Sequence, residues 1–169
     1  MPLPPPTAER TRMHVRSVQL EGYKRNDGCW DIEARLRDVK DHDYPLSSGL
    51  RKQGEAVHDM WVRVTIDAQM NILDAAACVD AMPYVGYCDR IAPDYTKLIG
   101  LNLFHGFRAA VKTLFRSTRG CSHVSELVTF LPTAALQTFA SDVHDNDDNG
   151  HKPYQLDRCH ALESHSDAV

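Results

Sequence analysis

The chain has 169 residues, 43% hydrophobic and 25% charged, a composition that suits one globular domain and excludes a disordered chain. A net charge of -4 and a pI near 6.1 exclude a general nucleic-acid binder, because neutralising phosphates needs clustered Lys and Arg. The one basic run, Arg108, Lys112 and Arg116, has helical spacing and reads as a solvated helix face.

No apolar run reaches the roughly 20 residues that a bilayer crossing needs. The opening Met1-Pro2-Leu3-Pro4-Pro5-Pro6 lacks the apolar centre of a signal peptide, so a cytoplasmic protein without membrane partners is expected. In that compartment the five Cys stay reduced, available for metal binding or catalysis and not for disulfides.

Residues 1–12 form a Pro-rich leader that is expected to be disordered. Residues 13–141 then read as one α+β domain. From Met13, Val15, Ser17, Gln19 and Glu21 alternate with Arg16, Val18 and Leu20. Asn26-Asp27-Gly28 supplies a tight turn, and Trp30, Ile32, Ala34 and Leu36 alternate with Asp31, Glu33, Arg35 and Arg37. The pattern predicts an antiparallel hairpin with one buried face. Residues 40–55, with Pro45, Gly49 and Gly54 among charges, are expected to form a long loop. A second hairpin follows. Met60, Val62, Val64 and Ile66 form its apolar row, Asp67-Ala68-Gln69-Met70 its turn, and residues 72–79 its return strand.

The product is an antiparallel sheet of two β-hairpins with one face left for helices, and its exposed edges allow a homodimer. Residues 80–92 read as an irregular crossing. Pro93-Asp94-Tyr95 then opens a short helix, which Gly100 interrupts. Leu103, Phe104, Phe107, Val111, Leu114 and Phe115 recur at helical spacing, and another helix starts near Ser122, kinked at Pro132. Residues 142–152 read as an acidic solvated loop, and residues 153–169 as a C-terminal segment docking on the domain.

The chemistry concentrates in Arg119-Gly120-Cys121-Ser122-His123 and in Cys159-His160, with Cys88 in the irregular crossing. Thiolate and imidazole together are ligands for zinc or iron, so Cys88, Cys121, His123, Cys159 and His160 form the expected metal set, with zinc first. Cys121 at a helix start can also serve as a nucleophile with His123 or His160 as its base, in acyl transfer or thioester hydrolysis. A third reading is a non-catalytic module that binds a small molecule between sheet and helices. These residues leave open whether the protein is an enzyme. Cys78 reads as core packing, and His105 beside Phe104 and Phe107 as an interior residue. His58 shows no ligand spacing.

Several segments together resemble a family of uncharacterised bacterial domains. They are Ile72-Leu73-Asp74-Ala75, the Pro83 turn closing on Cys88, Leu98-Ile99-Gly100, Gly120-Cys121-Ser122-His123-Val124-Ser125-Glu126-Leu127 and Asp157-Arg158-Cys159-His160-Ala161-Leu162. The family resemblance implies no activity. The order of Cys88 and Arg119-Gly120-Cys121 is also similar to iron–sulfur scaffold proteins of the NifU/IscU type, which combine an antiparallel sheet with helices. The chain lacks their first Gly-Cys pair and their His-Cys pair before the last helix. That similarity implies an iron–sulfur cofactor held by Cys88, Cys121 and His123, with Cys159 or His160 completing the set.

Overall fold

Two sharp turns organise the sheet. β1 (His14–Lys24) reverses into β2 (Trp30–Lys40) where Gly28 takes φ +84° and the Asp27 carboxylate accepts the Cys29 N–H. The computed structural model describes residues 3–140, 156–157 and 160–165. After β2 a small hairpin, β3 (Tyr44–Leu46) and β4 (Gly49–Arg51), leads into the second large one. β5 (Ala56–Ile66) turns at Asp67, whose Oδ1 accepts the N–H groups of Gln69 and Asn71, and returns as β6 (Ile72–Ala81). The main sheet is antiparallel with strand order β1-β2-β5-β6.

Period-two alternation sends one row of side chains to each face. Trp30, Ile32, Ala34 and Leu36 lie directly across from Ile66, Val64, Val62 and Met60, and all eight are buried on the helix side. A 3-10 segment, Asp89–Leu98, and three short helices cover them: α1 (Phe107–Leu114), α2 (Ser122–Val128) and α3 (Leu131–Phe139). Trp30 meets Phe139 with ring centroids 4.4 Å apart, and Tyr95 stacks on Phe115 at 4.3 Å. Emptying any of these ring sites costs about 3–5 kcal/mol.

The opposite face is charged and partly open. Arg35 donates to Asp59 at 2.8 and 2.6 Å while lying 4.4 Å over the Trp61 ring. On the helix side α3 crosses β1 at Gly22, where a Cβ would fall 1.8 Å from Thr138 Oγ1.

Several expectations are corrected. The supposed loop at 40–55 contains β3 and β4. The helix expected from Pro93 is a 3-10 segment that already begins at Asp89, with Pro93 inside it. The helix expected from Leu103 begins only at Phe107, because Gly106 takes φ +66° at its N-cap. Pro132 does not kink one helix; it starts a second, at the first turn of α3, where its missing N–H leaves no bond broken. Cys78 is exposed on the charged face, and His105 is exposed before α1. Residues 3–12 carry no helix or strand, and Arg12 forms a two-point ion pair with Asp41. The acidic loop 142–152, most of segment 153–169 and Cys159 lie outside the described residues.

Candidate functional site

The hydrocarbon row on β2 ends at Asp38. This inward position lies across from Arg16 on β1 and from His58 on β5, so the three side chains share the helix-covered face. Asp38 is 3% exposed, and donors surround its carboxylate. Arg16 donates from Nε to Oδ1 at 2.8 Å and from Nη2 to Oδ2 at 2.9 Å. His14 Nε2 meets Oδ1 at 3.0 Å, and His58 Nδ1 meets Oδ2 at 3.0 Å. Burial by itself would raise the Asp38 pKa. The bonds from Arg16, His14 and His58 outweigh burial and bring the carboxyl down to about 2.

An ionised carboxylate only accepts hydrogen bonds, so His58 Nδ1 carries the hydrogen. Burial and the adjacent His123 ring lower the His58 pKa against the pull of Asp38, so at neutral pH the ring is uncharged and Nε2 keeps its lone pair. His123, in the first turn of α2, lies over His58 with centroids 3.9 Å apart and planes 31° apart. On its other side, His123 Nδ1 is 3.9 Å from the sulfur of Cys121.

Cys121 is the N-cap of α2, and the buried Tyr95 fastens its backbone. The Tyr95 hydroxyl accepts the Cys121 N–H at 3.1 Å and donates to the Cys121 carbonyl at 3.0 Å; the Ser125 hydroxyl adds a bond at 2.8 Å. Burial pushes the Tyr95 phenol up to about 12. For the Cys121 thiol, burial opposes ionisation, yet His123 and the N–H groups of Val124 and His123 outweigh it and hold the pKa below the usual value. Gly120 makes this approach sterically feasible, since a Cβ there would come within 2.5 Å of Phe115 Cβ and 2.8 Å of its carbonyl oxygen. Arg16 reaches α2 as well: Nη1 donates to Glu126 at 2.8 Å.

A cavity of about 720 Å³ opens beside these groups. His58, Cys121 and His123 line it together with Cys88, so three of the five expected ligands, Cys88, Cys121 and His123, reach one space. His160 is exposed in a 3-10 turn, His160–Leu162, and is not among the lining residues.

Among the described residues, one group of ligating atoms converges within 4.8 Å, contributed by Asp38, His58 and His123. Distance alone would make Asp38 a ligand. Its lone pairs are already taken by four donor contacts, so its fitting role is to orient His58. With Asp38 so occupied, His58 and His123 are the members of that group able to hold a metal, and Cys121 and Cys88 lie in the same wall but outside the group.

Residues 14–137 match the family described as Protein of unknown function (DUF2889). The chain belongs to that family. The matched span of this DUF2889 protein includes Arg16, Asp38, His58, Cys88, Cys121 and His123, and it ends before Cys159 and His160. No curated protein and no solved structure matches the chain. Among the described residues, no helix is long and apolar enough to cross a membrane.

Proposed function

We propose that this protein binds one divalent transition metal, zinc ahead of iron, through His58, His123 and Cys121. The observation that supports this reading most is that ligating atoms of His58 and His123 lie within 4.8 Å beside a thiol, with His58 held by Asp38 in the tautomer that leaves Nε2 free. Binding would turn the two rings, now 31° from parallel, so that both lone pairs aim at one ion. Around a tetrahedral zinc with bonds of roughly 2.0 to 2.3 Å, ligand atoms lie about 3.3–3.8 Å apart. The 3.9 Å between Cys121 Sγ and His123 Nδ1 is close to that spacing. Cys88, which lines the same cavity, would close the coordination sphere. A water in that place would leave a position for Lewis-acid chemistry.

Metal content of the full chain tests the reading. Wild type should carry about one equivalent of zinc, and His58→Ala and His123→Ala should carry little. Cobalt in place of zinc should give a sulfur-to-metal charge-transfer band that Cys121→Ser abolishes. Unchanged stoichiometry in both histidine variants would exclude the site. Iron recovered with labile sulfide would favour the scaffold-like role over a zinc centre.

The lowered Cys121 pKa favours a second reading, in which Cys121 is a metal-independent nucleophile and His123 its base in acyl transfer. Alkylation separates the two. A nucleophile reacts at once, whereas a metal-held thiolate reacts only after chelation.

A further inference from the structure

The cavity wall has a one-sided charge. Its lining includes Arg90 and no carboxylate, although the chain as a whole is net negative at -4. The Arg90 guanidinium lies 5.5 Å from the Tyr87 ring centroid and, among the described residues, forms no ion pair. Apart from His58, His123, Thr118 and Ser122, the rest of the wall offers flat or apolar surface. Tyr84 and Tyr87 line it while 54% and 75% exposed, with Met60, Pro83 and Ile91 beside them. Exposed tyrosines on one short segment are a familiar way to present a flat, partly polar binding surface. A volume of about 720 Å³ is in the range of small-molecule sites and exceeds what one ring needs.

We infer that this cavity takes an aromatic monocarboxylate of about two rings, its carboxylate on Arg90 and its rings on Tyr84 and Tyr87. The planar guanidinium matches a carboxylate with two parallel hydrogen bonds. His58, His123 and Cys121 line the same cavity as Arg90 and the two tyrosines, and so face the bound acid. This inference deepens the metal-site reading and rests on it for the identity of the reactive end, while recognition of the acid depends on Arg90.

Calorimetric titration of the full chain with 2-naphthoate and with its neutral counterpart 2-naphthamide tests it, in zinc-loaded and chelator-treated protein. Naphthoate should bind at least about 10-fold more tightly than the amide, and Arg90→Gln should erase that preference while leaving the amide unchanged. Tyr87→Ala should weaken both. Arg90 and Tyr87 are exposed, so neither substitution endangers the fold. Equal binding of naphthoate by wild type and Arg90→Gln, or no binding, would overturn the inference, as would tighter binding of 2-naphthyl phosphate. Zinc retained without naphthoate binding sinks the ligand assignment alone. Arg90-dependent naphthoate binding in a protein that holds no metal supports the ligand and sinks the metal reading alone.

Discussion

Asp38 and His58 stand directly across from each other on β2 and β5, and their side chains meet at 3.0 Å. One cross-strand pair therefore sets the tautomer of an imidazole at the edge of the cavity, while burial and the His123 ring keep that imidazole uncharged.

Neutralising that carboxylate should act on stability through pH. The folded pKa of Asp38, about 2 in the metal-free protein, is depressed below its unfolded value of about 3.9. Its contribution is present above the unfolded value and is lost as pH falls through the folded one, so it disappears between about pH 4 and pH 2. It amounts to roughly 2–3 kcal/mol. In Asp38→Asn, urea unfolding at pH 7 should show a loss of about 1–3 kcal/mol, the cost of leaving buried donors short of a partner. The stability difference from wild type should shrink towards pH 2.

Zinc should stabilise the wild-type chain. With free metal at a hundred times the dissociation constant the gain is about 2.7 kcal/mol, or roughly 5–10 °C in Tm for a chain of this size. Calorimetric scans with and without chelator should show that shift in wild type and none in His58→Ala or His123→Ala.

Tyr95→Phe removes one hydroxyl that holds Cys121 at its N–H and its carbonyl. The fold should lose about 1–2 kcal/mol, since a buried N–H is left without its partner. In chelator-treated protein, the pH profile of Cys121 alkylation should shift relative to wild type. An unchanged profile would mean that the phenol stabilises the helix start without positioning the thiol.

Gly22→Ala should cost about 1–3 kcal/mol, because the added methyl meets Thr138 on α3. Thr138→Ala in the same chain should recover part of the loss, measured as a double-mutant cycle in denaturant.

The two large hairpins were legible because hydrocarbon alternates cleanly from Trp30 to Leu36 and from Met60 to Ile66. The helices were legible as apolar periodicity, but their ends were not. Gly106 and Pro132 act through backbone geometry that periodicity does not record. Cys121 and His123 stood out because both lie in one short motif. Asp38 and His58 did not, being twenty residues apart and conspicuous only once the strands pair. The signal was nevertheless present. Continuing the inward row one step beyond Leu36 reaches Asp38, and one step before Met60 reaches His58. An ionisable residue at a core position of a strand demands a partner. Cys78 was misread for a related reason: an apolar neighbourhood in sequence, Ala75 to Val79, lies on a strand whose alternate residues face the charged surface.

Arg16 grips Asp38 with one edge of its guanidinium and Glu126 with another, and it rides on β1, a strand with a neighbour on one side only. Outer strands detach more readily than inner ones. Detaching β1 would withdraw the cation from both acids at once, while the Asp38–His58 contact, which joins β2 to β5, would remain. The cavity wall is thus tied, through Asp38 and Arg16, to an outer strand that contributes nothing to its lining.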